Sequence, residues 1–388
     1  MVDGQASSRQ TQRIAIFAND SRVFPEDLTS LIERLSSYQN RVRCYAPGWP
    51  DHVAKLTTAS GAETDTFPIE INENWALMPH RALRAKLSEA VNSWQPDVVI
   101  AIGLVTADRI LPNVDASRSR RVAILDHFIS SGTTLEAIDE AHLLTDEKAA
   151  RLFKHADHIV CHTHKNTSEL KLRIDEVGRR SGSVEITTAP GMGVNTSRIH
   201  EQPMPALDSG VAFLMTAPLD PWKGVMDYAA AANLVSDNHP DAIFRLQGAP
   251  GRTDDAIPMD QLTRQGRIVP IAPNISMAQA IAEAHVVVVP AHHEGIPREV
   301  MLALAIGRPL ICADFSGSRE AIDERNNGII FDAENPNMLA RACESLLRRP
   351  DLLTSMGHAS RLKAERRFVE AGALHAHGLA IGVSISSA

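Results

Sequence analysis

The chain has 388 residues, a formal net charge of −8 and a hydrophobic content of 44%. This length favours two domains, and the composition is typical of a globular protein. The acidic balance gives no general attraction for nucleic acid, and the lack of any apolar run of ~18 residues predicts no membrane-spanning helix. The four cysteines lie far apart and form no C-x-x-C pair, which favours a reducing, intracellular setting.

Strand and helix patterns alternate along the first half of the chain. The polar lead at 1–12 lacks the apolar segment of a signal peptide and is expected to be disordered. Strands are predicted at 13–20, 41–47, 63–71, 96–103, 120–128, 157–163 and 184–194. Helices are predicted at 25–38, 80–94, 144–156 and 165–177. This alternation indicates βαβ units and a parallel sheet.

The cycle restarts after a polar, proline-bearing segment at 200–210. Strands are predicted at 211–218, 242–248, 266–272, 285–291 and 309–314, and a strand and helix at 328–349. Other helices are predicted at 224–235, 276–284, 298–307 and 361–382. The fold class is therefore α/β, with two Rossmann-like, doubly wound domains and a cleft between them as the ligand site.

The domain boundaries follow from these patterns. The first domain is predicted at 13–200, the linker at 201–209 and the second domain at 210–370. The tail at 371–388 is predicted to form a helix that packs back on the first domain.

The stretch "AHHEGIPREVMLALAIGRPLICAD" at 291–314 has the most informative local pattern. A loop with Glu294 follows a continuous apolar strand. Pro297 suits the first turn of a helix, Gly307 suits its C-cap, and a second buried strand follows. The loop is therefore predicted at the carboxyl edge of a parallel sheet, where open α/β folds bind ligands.

Other polar residues are predicted at strand ends. Lys223 follows a strand in "DPWKG", where it is either a solvated turn lysine or a cation for a diphosphate. Asp126 and His127 end one strand of the first half, and Asn19 and Asp20 end another. His127 either lies near a ligand or only closes its loop.

Two histidine-bearing segments and one basic run have simpler interpretations. In "CHTH", His162 and His164 would share a strand face, but no second ligand pair stands nearby, and no metal site is predicted. The "AHH" segment at 291–293 is expected to pack in its loop or to contact a ligand. The basic run at 117–121 is expected to form a surface loop, with contact to anionic lipid as the alternative.

Five segments resemble, in order, segments of the retaining GT-B glycosyltransferases of family 4. They are "ADHIVCHTHKNTSELKLRI", "PGMGVNTSRI", "PLDPWKGVMDYAAAA", "EGIPREVMLALAIGRPLICADFSGSREAI" and "NNGIIFDAENPNMLARACESLL". The resemblance covers roughly residues 95 to 370. It implies the GT-B fold, in which two Rossmann-like domains face each other across a cleft.

The resemblance also implies a reaction and the residues that carry it. A sugar would pass from a nucleoside diphosphate sugar to a hydroxyl with retention, and no metal or other cofactor would be needed. The implied catalytic residues are Glu294, Lys223 and His127. The implied donor-binding residues are Lys223, Gly248, Glu294, Gly295, Ile296, Pro297, Arg298 and Glu299. The implied acceptor-side residues are Asn19, Asp20, Asp126 and His127.

The segments are most similar to those of bacterial enzymes that build surface polysaccharide. This similarity implies a saccharide acceptor, often one that is linked to a lipid, and no nucleic acid partner. It also implies a cytoplasmic location, with peripheral contact to the inner face of the membrane as an option.

The chain departs from the family pattern at three places. Pro218 stands where the family has an arginine that accompanies Lys223, and Leu302 stands where it has the second glutamate of its E-x7-E motif. The loop "NDSRVFP" lacks the glycines that many relatives have after the first strand. Candidate substitutes are Arg252, Arg298 and Arg319 for the arginine, and Glu299, one helical turn away, for the glutamate.

These departures leave two alternative functions open. One is a catalytically inactive GT-B scaffold that binds a sugar nucleotide or a protein partner. The other is a sugar-nucleotide epimerase, which ranks lower because that class lacks the "EGIP" loop in this form.

Overall fold

Two parallel sheets, one in each half, organise the protein. The computed structural model describes residues 11–18, 31–36, 40–46, 63–66, 85, 91, 93–125, 129–130, 143–176, 184–249, 251, 255–264, 267–291 and 295–383. No helix within these ranges is long and apolar enough to cross a membrane.

The first sheet comes from the N-terminal half. Its strands are β1 Arg13–Ala18, β2 Arg41–Ala46, β3 Glu63–Thr66, β4 Val98–Ile102, β5 Arg120–Leu125, β8 His158–Cys161 and β9 Glu185–Thr188. Short strands β6 Ile129–Ser130 and β7 Leu143–Leu144 pair separately. The helices are α1 Leu104–Ile110, α2 Asp146–His155 and α3 His164–Glu176, with a 3₁₀ turn at Leu111–Asn113 and helical residues at 31–36. The strand order is β3-β2-β1-β4-β5-β8-β9.

The second sheet comes from the C-terminal half. Its strands are β10 Ala212–Pro218, β11 Ile243–Ala249, β12 Ile268–Pro270, β13 Val286–Val289, β14 Leu310–Ala313 and β15 Gly328–Phe331. Its helices are α4 Val225–Ser236, α5 Met259–Thr263, α6 Met277–Ala282, α7 Arg298–Ile306, α8 Ser316–Ala321, α9 Pro336–Leu347 and α10 Leu353–Arg367. Short 3₁₀ turns occur at Leu207–Ser209, Pro221–Lys223 and Pro350–Leu352. The strand order is β12-β11-β10-β13-β14-β15.

Local sequence explains why these elements form. The valines of β13 are all buried, as expected for a parallel strand that is covered on both faces. At the start of α2, the Thr145 hydroxyl accepts a hydrogen bond of 3.2 Å from the backbone N–H of Lys148. Gly307 ends α7 in the left-handed conformation, which confirms the predicted C-cap. The two doubly wound parallel sheets confirm the predicted fold class.

The end of the chain differs from the prediction. The predicted helix at 361–382 is in fact two helices, because the chain turns at Phe368 and Val369 between α10 and a last helix, α11 Glu370–Ile381. Phe368 is buried in the core of the second half, and this burial fixes the turn. Helix α11 then packs against β5, β8 and β9 of the first sheet.

The two chain crossings between the halves lie side by side. The N–H of Val194 donates to the carbonyl of Phe368 at 2.7 Å, and the N–H of Glu370 donates to the carbonyl of Val194 at 3.1 Å. The side chain of Asn195 also donates to the carboxylate of Glu370 at 2.8 Å. The outgoing and returning segments therefore stabilise each other.

Two buried arginines hold the outgoing segment against the second half. Arg308 donates to the carbonyls of Gln202 and Pro203, each at 2.9 Å, and Arg361 donates to the carbonyl of Ile199 at 2.7 Å. Burial lowers the pKa of the Arg308 guanidinium to about 10. The linker carbonyls thus have charged donors in place of water.

Candidate functional site

The candidate site lies where the strand order of the second sheet reverses. Strands β10 and β13 are neighbours in that sheet, while the chain continues from β10 to β11 on one side and from β13 to β14 on the other. Open α/β folds bind ligands at the carboxyl ends of such neighbouring strands. Lys223 follows β10, and the segment Gly295–Pro297 follows β13, so the sheet brings these predicted residues to one edge.

The turn that carries Lys223 touches the end of β13. Gly224 adopts a φ of 74°, and a methyl group placed on it would lie 2.1 Å from the carbonyl oxygen of Pro290. Only glycine allows this close approach with this backbone conformation. The turn that carries Lys223 and Pro290, the residue that follows β13, are therefore held next to each other by their backbones.

Lys223 is itself a partly enclosed cation. Its side chain is only 9% exposed, and its Nζ lies 4.2 Å from the centre of the Trp222 ring. Its backbone N–H donates to the carbonyl of the fully buried Asp220 at 3.0 Å. The ring face attracts the ammonium, and Lys223 follows β10 at the edge where open α/β folds bind ligands.

The segment after β13 leads directly into α7. Gly295 and Ile296 are buried, and Pro297 is the N-cap of the helix. Arg298 and Glu299 form the first turn, where backbone N–H groups carry the positive end of the helix dipole. This end of α7 adds a second positive feature to the edge that carries Lys223.

Glu299 points into the protein instead of into solvent. The residue is 8% exposed. Burial raises the pKa of the Cys312 thiol, and the nearby Glu299 carboxylate raises it further. Glu299 therefore lies near the end of β14, and its role as a substitute for a glutamate at 302 stays a prediction.

Gly248, a predicted donor-binding residue, lies in close packing at the end of β11. It pairs with Ala217 across β10 and β11. A methyl group on it would lie 2.5 Å from Cε of Met259 and 2.8 Å from Cδ2 of Leu219. The glycine lets the end of β11 fit beside the strand that leads to Lys223.

The departures from the family pattern have clear structural positions. Leu302 is 6% exposed and belongs to the hydrophobic core of the second half. Pro218 is the last residue of β10 and pairs with Ala249. Arg319 forms an ion pair with Asp314, with a distance of 2.7 Å between Nε and Oδ1. Arg319 thus has a carboxylate partner, and its role as a substitute for the missing arginine stays a prediction.

Several predicted residues lie outside the described ranges. They are Asn19, Asp20, Asp126, His127, Arg252 and Glu294, together with 292–293 of the "AHH" segment. Their roles stay predictions. Strands β1 and β5, which precede four of them, both flank β4 in the first sheet and end at the same edge.

The histidines of "CHTH" do not share a strand face, because β8 ends at Cys161. His162 packs edge-on against His377, with 5.6 Å between ring centres, whereas His164 begins α3 and is mostly exposed. Within the described ranges, no three His, Cys, Asp or Glu side chains form a group that could hold a metal ion.

The basic run at 117–121 is partly used in packing. Arg121 pairs with Asp157 at 2.7 Å, and Arg120 donates to the carbonyl of Ala380 in α11 at 2.7 Å. Arg118 is exposed and lies 3.7 Å from Asp115. Two of the three arginines therefore serve the fold.

Sequence reasoning missed Gly191 and Gly317, which pack directly on the segment Gly295–Pro297. The available signal was weak. Each glycine stands in a run of small residues, "PGMG" or "SGS", and such runs are common in ordinary turns.

The protein has two doubly wound domains, and its candidate residues lie at the switch point of the second sheet. This arrangement of domains is that of the GT-B class of folds. HepE of Anabaena, solved in complex with UDP and glucose, has a TM-score of 0.72 at 14% identity, covering 96% of this chain and 99% of that chain. Sucrose-phosphate synthase of Thermosynechococcus elongatus has a TM-score of 0.69 at 16% identity, covering 95% and 98%. At these identities the likeness establishes the fold.

Residues 210–349 match the family described as Glycosyl transferases group 1, so the second half carries a glycosyltransferase domain. The chain is 29% identical over 231 residues to a D-inositol 3-phosphate glycosyltransferase of Streptosporangium roseum, covering 54% of this chain and 51% of the relative. It is 26% identical over 257 residues to one of Corynebacterium diphtheriae, covering 60% of each. The chain therefore spans between half and three-fifths of these curated relatives.

Proposed function

We propose that this chain is a retaining glycosyltransferase of family 4 that moves a sugar from a nucleoside diphosphate sugar to a hydroxyl acceptor. The observation that carries the proposal is the placement of the Lys223 turn and the segment Gly295–Arg298 after neighbouring strands, at the switch point of the second sheet. A group 1 glycosyltransferase domain over the same residues supports it.

The chemistry needs charge stabilisation on the leaving group. When the bond between sugar and diphosphate breaks, negative charge grows on the diphosphate. Lys223 and the N–H groups at the start of α7 would stabilise that charge, and the proposal requires no resident metal. In this proposal, Glu294 accepts hydrogen bonds from sugar hydroxyls, and His127 lies near the reacting carbon from the acceptor side.

The acceptor is proposed to be a saccharide, in particular a lipid-linked saccharide of surface polysaccharide synthesis. Peripheral contact with a membrane would bring such an acceptor to the first domain. The two curated relatives described above are named for D-inositol 3-phosphate, which makes this compound the second acceptor class to test.

The first experiment measures thermal unfolding with nucleoside diphosphates and with UDP-glucose. A ligand at 100 times its dissociation constant stabilises a folded protein by about 2.7 kcal/mol, which gives a clear rise in melting temperature. The best ligand then serves in a turnover assay, and NMR of the product reports whether the anomeric configuration is retained. An inverted product would contradict the proposed mechanism.

Lys223→Ala tests the assigned cation. Loss of one preorganised charge at the leaving group should lower kcat/KM about 100-fold or more. Lys154→Ala, which removes an exposed lysine of α2, is the matched control and should leave turnover unchanged. Normal turnover in Lys223→Ala would remove this lysine from the mechanism.

The inactive scaffold remains the second candidate because of two specific residues. Leu302 is a core residue and Pro218 ends a strand, so neither offers the polar contact that the family has there. Wild-type protein that binds a sugar nucleotide, yet neither hydrolyses it nor transfers its sugar to any acceptor offered, would favour this candidate.

A further inference from the structure

The segment Gly295–Pro297, here called the donor loop, has two glycines from other parts of the chain beside it. Its residues Gly295 and Ile296 are buried. The chemistry proposed above depends on where this loop places its N–H groups, because a displacement of about 1 Å strongly weakens such contacts.

Gly317 lies on one side of the donor loop. A methyl group on Gly317 would lie 1.5 Å from the carbonyl oxygen of Gly295 and 3.0 Å from Cα of Ile296. The turn that carries Gly317 is itself fixed, since Ser318 is fully buried and its hydroxyl bonds both the N–H and the carbonyl of Phe315 at 3.0 and 2.8 Å. Helix α8 therefore starts in direct contact with the loop backbone, and only glycine fits there.

Gly191 lies near Ile296 of the donor loop and belongs to the first half. It adopts a φ of 61°, and a methyl group on it would lie 3.2 Å from Sδ of Met301 and 3.6 Å from Cβ of Ile296. The neighbouring Ala189 donates its N–H to the carbonyl of Cys161 in the first sheet at 2.9 Å. The turn that carries Gly191 thus extends from the first sheet to the donor loop.

Helix α8 also contacts the first half. The carboxylate of Glu320 accepts from the backbone N–H of His164 at 2.6 Å and lies 3.0 Å from its ring Nδ1. His164 is the first residue of α3, so Glu320 acts as a cap for that helix. Both neighbours of the donor loop are therefore connected to the first half.

We propose that Gly317 and Gly191 are positioning residues that pack beside the donor loop, hold it in place and connect its geometry to the first half. The inference rests on the function proposed above for this site. It concerns how the loop is placed and assigns no chemical step to either glycine.

The first test needs no ligand and compares two glycines of the second half. Gly317→Ala puts a methyl group against the donor loop, whereas Gly357→Ala puts one 2.4 Å from the carbonyl oxygen of Gly307, away from that loop. Both changes should lower stability. Hydrogen exchange at residues 295–300 should speed up by about tenfold in Gly317→Ala and stay unchanged in Gly357→Ala. Equal protection in the two variants overturns the proposal.

The second test measures the affinity of UDP, or of whichever nucleoside diphosphate binds the wild type best. The dissociation constant of the nucleoside diphosphate, corrected for the folded fraction, should rise about tenfold in Gly317→Ala and stay at the wild-type value in Gly357→Ala. Gly191→Ala is compared with Gly382→Ala, which has the same left-handed strain but only a 3.9 Å contact with Arg120. Weaker binding in Gly191→Ala alone supports the proposal, and equal weakening in both overturns it for Gly191.

If Gly317→Ala fails to fold, Gly191→Ala still tests the proposal. The atom nearest to the methyl group added at Gly191 belongs to the flexible Met301 side chain, so this variant is expected to fold. Wild-type protein that binds no nucleoside diphosphate would contradict the proposed function. Even then, the exchange comparison decides whether Gly317 holds the loop in place.

Discussion

The two sheets have related strand orders, but they are covered by different parts of the chain. The second sheet is buried by residues between Val194 and Phe368. The first sheet buries one face against the last helix of the chain, where Leu374 and Ile381 join its core. Arg120 strengthens this packing through its hydrogen bond to the carbonyl of Ala380.

The two halves therefore do not depend equally on the rest of the chain for their cores. The second half contains its own core, and its buried arginines also hold the linker. The first half needs α11, which reaches it only after the chain has returned beside Val194. Changes to the buried arginines, to α11 and to the contact between the halves therefore test three separate parts of the comparison.

The largest effect is expected for Arg308→Ala in the second half. The side chain is fully buried and donates to five backbone carbonyls, which would lose a charged donor without gaining water. The free energy of unfolding should fall by about 3–5 kcal/mol. Denaturant unfolding measures this loss, with the exposed Arg349→Ala as the control that should change little. A loss in Arg308→Ala as small as in the control would show that the arginine does not hold the linker.

The second-largest effect is expected in the first half, where a buried histidine makes the free energy of unfolding depend on pH. His377 of α11 is fully buried, donates from Nδ1 to the carbonyl of Ala373 at 2.7 Å, and its Nε2 has no hydrogen-bond partner among the described residues. Burial lowers the pKa of His377 from 6.5 to about 4. Between these pH values the unfolded chain binds a proton that the folded chain does not, so stability falls as the pH drops from 6.5 towards 4.

His377→Gln should remove this part of the pH dependence. The lowered pKa corresponds to about 3 kcal/mol of stability, which the wild type loses between pH 6.5 and 4 and the variant keeps. Unfolding curves at several pH values measure the difference. His358→Gln, which replaces a mostly exposed histidine beside Glu201, is the control and should retain the wild-type slope. An unchanged slope in His377→Gln would contradict the assignment to His377.

The smallest effect is expected for the contact between the halves. Glu320→Ala removes the carboxylate that caps α3 and contacts the His164 ring, which should cost about 1 kcal/mol. Its control, Glu344→Ala, breaks an ion pair with Arg348 inside α9. Only Glu320→Ala should separate the unfolding transitions of the two halves, which calorimetry can detect. A single transition in both variants would show that the crossing segments alone couple the halves.

Most of the described fold could be predicted from the pattern of apolar and polar residues. Alternating apolar strands and amphipathic helices predicted two doubly wound sheets, and Pro297 and Gly307 marked the two ends of α7 within one residue. These features are local, because the backbone conformation and burial of a strand or cap depend on a few neighbouring residues. The same reasoning placed Lys223 and Gly295 at strand ends, and the strand order then brought them together.

The way in which distant segments meet depends on three-dimensional packing. Sequence periodicity does not identify the partners on which three features depend. They are the turn between two helices at Phe368, the burial of His377 and the ion pair of Arg319 with Asp314. The contact of Gly191 with Ile296 joins residues more than a hundred positions apart, and the contact of Gly317 with Gly295 joins residues that α7 and β14 separate along the chain. Such contacts form because packing in three dimensions leaves no room for a side chain, and a one-dimensional pattern contains no measure of that space.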